Sequence, residues 1–550
     1  MALLLDLFGY LSVIVHGLTI VAQSMALGGT LFLVFLARPF EQELGGVGGD
    51  IRRRTRRIAL WSTLALILCE SVTLALQGAV LIGTIQIDIG GVLGAEFAIY
   101  SLVKIAGALV LALLLADGRD RAPAALLVAA ILVVLAAATG TTHAAARLDN
   151  SAPLMVVEGL HQLGAAIWIG GIPCFVMALG RCVDGVTWRR VGKRFSQMSM
   201  VGVAAILVSG IAMAIFYVGS LQGFYGTAYG VMVGAKIVMF LVLLGLGGMN
   251  YLVVERLRRD PATSINRLKR FAEVEIGIGF TLFFAAASLT SSPPAVDLTA
   301  DRVSWAEIVE RNVPIWPRFA SPDHADLGIP ALQARLDAEA AQQAKKPPPA
   351  FIPGSGELPP RNAFDIAWSE YNHHWAGLFV LAIGFLALLN QAGMRWARHW
   401  PLVFLGLAFF LFVRSDPEVW PLGEIGFFDS FRDVEVAQHR VFVLMLVIFA
   451  FFEWRVRAGG LANTKAALVF PLISALGGAL LLTHQHAIAN VKDQLLIELT
   501  HTPLALAGVA AGWSRWLELR LDPPANRWCG WVWPVCFLLV GLMLLSYREA

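Results

Sequence analysis

ATGTTHAAARLDNSAPLMVVEGLHQLGAAIWIGGIPCFVM, residues 138–177, decides how the rest of the chain is read. An apolar run closes on Gly140-Thr141-Thr142-His143. A short polar loop, residues 147–151, follows. A second apolar run then carries His161 and Trp168-Ile169-Gly170-Gly171. Read as helices, the two runs make a hairpin with two imidazoles near one mouth. Ionisable groups inside apolar segments are costly to bury, and they mark function by default.

Runs of the same kind recur along all 550 residues. The chain is 57% hydrophobic and 15% charged, with a mean hydropathy of +0.68. About 20 apolar residues are enough for a helix to cross a bilayer. The chain therefore reads as all-α, a polytopic membrane bundle of about fourteen spans. Eight fall near 7–37, 58–83, 97–116, 123–143, 153–180, 197–218, 229–254 and 270–291. Six more fall near 369–391, 400–414, 437–457, 466–486, 499–519 and 528–547. The N-terminus lacks the basic start and the small-residue cleavage site of a signal peptide, so it reads as the first span. Between the two groups, residues 292–368 are too polar and too rich in proline and alanine to span. They read as an extracytoplasmic linker with one short helix near 328–345. The expected domains are thus 1–291, 292–368 and 369–550, the last either a diverged repeat of the first or a separate helical module.

Every second loop is basic. Arg52-Arg53-Arg54-Thr55-Arg56-Arg57 opens the series, and Arg515, Arg520 and Arg527 close it. Lys and Arg collect in cytoplasmic loops. That orientation predicts an inner-membrane protein with both termini in the periplasm. On this topology nine of the eleven histidines fall at the periplasmic ends of spans. His143 and His161 pair across their short loop, and His16 lies at a matching depth in the first span. Near the end of the chain, Thr483-His484-Gln485-His486 closes one span and His501 opens the next, with His374 and His439 on nearby spans. Neutral imidazole suits copper, zinc or haem iron. His373 and His399 read instead as interfacial residues that hydrogen-bond near the headgroups. Glu70, Lys104 and Lys236 lie within spans and suggest a polar pathway.

Several classes are excluded. The five cysteines form no CxxC pair, so neither a disulfide framework nor a thiolate metal site is expected. There is no CxxCH for covalent haem. No GxxxxGK[ST] or other nucleotide motif is present, and a net charge of +3 on a membrane chain gives no reason to expect a nucleic-acid partner.

The residues Thr139-Gly140 with His143, His161 with Trp168-Ile169-Gly170-Gly171, Ser209-Gly210, Tyr229-Gly230 with Lys236, Asn250, and Ser291-Ser292-Pro293-Pro294 resemble the copper resistance protein D family over about residues 1–295. Thr142 stands where the family usually has glycine before the first of these histidines. The resemblance implies copper handling at the periplasmic face of the inner membrane, with His143 and His161 as primary ligands, His16 as a further one, and a periplasmic copper-binding protein as partner. His374, His439, His484, His486 and His501 would form a second cofactor site, for copper or for haem. Paired imidazoles on neighbouring helices are also how haem b is held, so electron transfer with a quinol is the alternative. A structural partner subunit is the third reading. A haem-dependent oxidoreductase is the only enzyme these residues suggest.

Overall fold

In a computed structural model the chain is all-helical, with 83% of it in helices and no strand among the described residues. The structure describes residues 2–117, 122–147, 149–298, 302–322, 328–343, 362–461, 465–483 and 491–549. Among the described residues, twelve helices are long and apolar enough to cross a membrane. Two shorter apolar helices, Ala124–Thr139 and Lys465–Leu481, stand at two more of the expected spans. A multi-pass bundle follows from the solvent: in hydrocarbon every backbone N–H and C=O must be paired within the chain, and a helix does this by itself. The linker helix expected near 328–345 is Gly328–Gln343, and a second short helix, Trp305–Arg311, precedes it with a Ser304/Glu307 capping box.

The chain packs as two units, one of residues 11–220 and 236–297, the other of residues 1–10, 221–235 and 298–550. In the first unit, two helices share a local design. The chain passes from Ala2–Phe32 through a π-turn, Leu33–Ala37, before Pro39. It passes from Ser151–Ala165 through a second π-turn, Ala166–Gly170, before Pro173. A proline lacks an N–H and its ring presses on the carbonyl four residues earlier. Those carbonyls belong to Phe35 and Ile169, inside the two π-turns, so the wider turn relieves the clash. The two helices touch backbone to backbone at this level. A Cβ on Gly170 would lie 1.9 Å from the Ser24 carbonyl oxygen, and one on Gly28 would lie 2.1 Å from that of Ala166. Only glycine allows this approach, which explains the Gly170-Gly171 pair.

The second unit is held by an aromatic core. Trp400, Phe404, Phe470 and Trp533 are almost fully buried, with Ile383 and Ala450 among them. Helix Ala363–Gln391 lies along Ala525–Leu545, which in turn packs on Val491–Arg520. The basic residues at one end of these helices do not all stay in loops, as their sequence positions suggest. Glu453 Oε1 accepts from Arg457 Nε at 2.7 Å and from Arg515 Nη2 at 3.0 Å. Glu518 Oε2 accepts from Arg515 Nη1 and Trp533 Nε1, both at 2.7 Å. The Arg457 and Arg515 guanidinium groups sit over the Trp533 ring at 5.3 and 5.8 Å. The acids one helical turn away draw these arginines in, and their charges are compensated in the core.

Two outcomes follow. Gly170→Ala must push the crossing helices apart, and overpacking of this kind costs about 1–3 kcal/mol. It lowers the unfolding midpoint in detergent, whereas Gly234→Ala, whose added Cβ meets nothing within 4 Å, does not. Arg515→Ala leaves the fully buried Glu453 with Arg457 alone and removes the ion pair to Glu518; breaking a buried pair from one side costs roughly 3–5 kcal/mol. Denaturant titration of Arg515→Ala beside the exposed Arg455→Ala reads this difference directly.

Candidate metal-handling site

Four polar clusters lie inside the first unit. At His143, the helix Ala124–Thr139 has ended, and His143 begins the four-residue helix His143–Ala146. The chain then reverses at Asn150, whose backbone is left-handed, a conformation asparagine tolerates better than most residues. A cavity of about 440 Å³ opens here, lined by His143, Arg147, Asp149, Phe216, Pro294 and Asp297 among others. Arg147 bridges both carboxylate oxygens of Asp297 at 3.2 Å. The closing Pro293-Pro294 motif therefore meets His143 through space. Burial lowers the His143 pKa, against the opposing pull of its bond to the Thr290 backbone. Its Nε2 is buried and makes no hydrogen bond.

About three turns into the next helix, Ser151–Ala165, His161 Nδ1 lies 3.0 Å from Ser209 Oγ. The Ser209 hydroxyl donates to the Ala205 carbonyl at 2.6 Å. Its proton is committed, so the serine oxygen accepts from His161 Nδ1–H, and Nε2 carries the lone pair. Gln162, one residue on, accepts from Gln23 at 2.9 Å and donates to Glu158 at 3.2 Å. Lys236 is the cationic neighbour of both Glu158 and His161.

The third cluster joins Glu70 and Lys104 at 2.8 Å, both almost fully buried, with His16 as an electrostatic neighbour of the pair. Each lysine that the sequence placed in a span thus has an acid beside it: Glu70 for Lys104, and Glu158 for Lys236. In the fourth cluster Asn250 Nδ2 donates to Glu275 at 2.6 Å, and Trp168 hydrogen-bonds the same carboxylate. Glu158 and Glu275 are the residues the sequence reading passed over. A lone carboxylate within an apolar helix was the available signal.

The second unit gathers rings. His373 stacks on Tyr547 at 3.9 Å, and His501 meets both edge-on at 5.8 Å. His373 Nδ1 bonds the Ser369 carbonyl at 2.8 Å and His501 Nδ1 bonds that of Ile497 at 3.0 Å, each four residues back. Both rings must donate there, so each keeps its lone pair on Nε2. Glu549 accepts from Ser369 at 2.8 Å and from the Tyr547 hydroxyl. His439 Nδ1 bonds Asp416 at 3.0 Å. Burial raises the Asp416 carboxyl, but its bond to His439 and the neighbouring charges outweigh this and hold it below the usual carboxylate range.

Two histidines exchange the roles their sequence positions suggest. His374, expected as a ligand, is fully buried with both ring nitrogens in use: Nδ1 accepts from Arg318 N–H at 2.7 Å, and Nε2–H donates to the Tyr547 carbonyl at 2.9 Å. That tautomer has no lone pair left for a metal. His373, read as interfacial, stands in the ring cluster instead. The reason is the helical period, since adjacent residues point about 100° apart. His399 is exposed and accepts from Trp454 at 3.0 Å. His324, His484 and His486 lie outside the described residues. Among the described residues, no three or more His, Cys, Asp or Glu side chains converge as a metal cage. What the protein offers is single or paired imidazoles, of which His161, His373, His439 and His501 each engage a partner through Nδ1.

A stability contrast follows. His374→Ala leaves a buried N–H and a buried carbonyl unpaired, at about 1–3 kcal/mol. Its unfolding midpoint in detergent falls clearly below those of wild type and His373→Gln.

Residues 189–289 match the family described as copper resistance protein D. Over 168 residues the chain is 30% identical to the copper transport protein CutJ of Bacillus subtilis (strain 168), a match covering 29% of this chain and 29% of that protein. The chain thus spans under a third of the relative's length. No solved structure matches. The matched segment holds Ser209, Lys236, Asn250 and Glu275, the partners of His161, Glu158 and Trp168. That segment and that relative support an assignment of the chain to the copper resistance protein D family.

Proposed function

We propose that this membrane protein takes up copper at the periplasmic face of the inner membrane and passes it through its helical bundle as cargo. The family and the relative support a copper-related membrane function. One observation carries the finer reading: His143, His161, His373 and His501 each engage a serine oxygen or the backbone through one ring nitrogen, and in each the lone pair falls to Nε2. This is how metal-binding histidines are oriented by their outer partners. Single or paired donors, rather than a closed cage, suit an ion that must leave as well as enter.

In this reading His143 receives copper at the mouth of the cavity, and His161 and His16 hold it further in. Asp149 at the cavity favours a cation there, while Asp297 is paired with Arg147. The Glu70–Lys104 pair and Glu158 with Lys236 supply compensating charge on the way. His373 and His501, with His439 beside them, form the second station. Basic loops on alternate sides support periplasmic termini, and a periplasmic copper-binding protein is the expected donor.

The test is copper binding by the purified full-length protein, with an absorption spectrum of the same sample before and after dithionite. Stoichiometric copper that drops at least tenfold in affinity in His143→Ala/His161→Ala, with no Soret band, supports the proposal. A Soret band that sharpens on reduction overturns it in favour of haem. Because burial holds the His143 pKa down, protons compete for its Nε2 only below the ordinary histidine value of about 6.5. Affinity at this site is therefore flat from pH 8 to about pH 6.5 and falls only in more acidic buffer.

A further inference from the structure

We propose that the first unit binds the headgroup of an acidic phospholipid in a basic cavity at the arginine-rich end of its helices. The cavity measures about 580 Å³ and is lined by Arg189, Arg190, Lys193 and Arg194 against a single carboxylate, Glu43. Arg194 and Arg190 both reach Glu43, the second at 3.9 Å. Among the described residues Arg189 and Lys193 have no acidic partner, and Arg189 Nε is buried without a hydrogen bond. Four cations facing one acid leave about three positive charges uncompensated. A phosphodiester is the group that satisfies them, since guanidinium forks match its oxygens.

The surroundings select a lipid over a free anion. Arg190, Arg194, Gln197, Val201 and Val208 recur along one face of helix Gly185–Tyr217. Val201 and Val208 are 63% and 65% exposed. The face thus turns from cationic to apolar within about two turns, and the apolar part extends roughly 20 Å along the helix from Arg194. Val186, 60% exposed, and the buried Leu36 line the cavity itself. A headgroup in the basic cavity would lay its acyl chains along Val201 and Val208. Basic pockets at helix ends facing the anionic leaflet hold headgroups in this way.

The experiment is native mass spectrometry of the delipidated full-length protein titrated with dioleoylphosphatidylglycerol, dioleoylphosphatidylcholine or inorganic phosphate. One phosphatidylglycerol should bind with at least tenfold preference over phosphatidylcholine, and phosphate should not displace it. Arg189→Gln/Lys193→Gln should weaken phosphatidylglycerol at least tenfold. Glu43→Gln removes the only acid and should tighten it several-fold, a gain that damaged folding does not produce. Equal binding of the two lipids, displacement by phosphate at comparable concentration, or unchanged affinity in both variants overturns the proposal. Copper is absent from every arm, so the result is independent of the copper reading.

Discussion

Glu70 and Lys104 meet at 2.8 Å between two apolar helices, nearly out of reach of solvent. A charge in a bilayer core costs several kcal/mol unless another group compensates it, and bulk water is not there to do so. The interior of this protein is arranged around that requirement. Gln23, Gln162 and Glu158 form a string across two helices, Asn250 and Trp168 close on Glu275, and Arg457 and Arg515 share Glu453. Each set fixes helices against one another at a polar point, where apolar packing alone is weakly directional in lipid.

The same requirement shapes the histidines. A buried imidazole that gives its Nδ1–H to a carbonyl or a serine satisfies one nitrogen and exposes the basicity of the other. His161, His373 and His501 do this with partners on their own helix or a neighbour. His374 spends both nitrogens and becomes a structural tie between the chain near Arg318 and Tyr547. Ligand and strut thus differ by one hydrogen bond.

The π-turns add a geometric constraint. Pro39 and Pro173 each widen the turn before them, and the second of these turns holds Trp168 and Gly170. Gly170 brings its helix onto Ser24, while Trp168 reaches Glu275. One short run, Trp168-Ile169-Gly170-Gly171, therefore sets both a close helix crossing and a buried hydrogen bond.

The sequence by itself determined the class of the protein, because about 20 apolar residues in water-free surroundings have one stable solution. It located the apolar helices and the linker helix near 328–343. It also marked His143, His161, Glu70, Lys104 and Lys236 as interior polar groups. Tertiary structure decided which of these groups meet. Glu70 takes Lys104, Lys236 faces Glu158, and Ser209 orients His161, all across separations of 34 to 78 residues that no local period encodes. It also separated His373 from His374, since one residue of helical rotation, about 100°, decides whether a side chain enters a ring cluster or a backbone tie. Apolar periodicity records that a helix exists; the partner of a buried polar atom depends on how the helices cross.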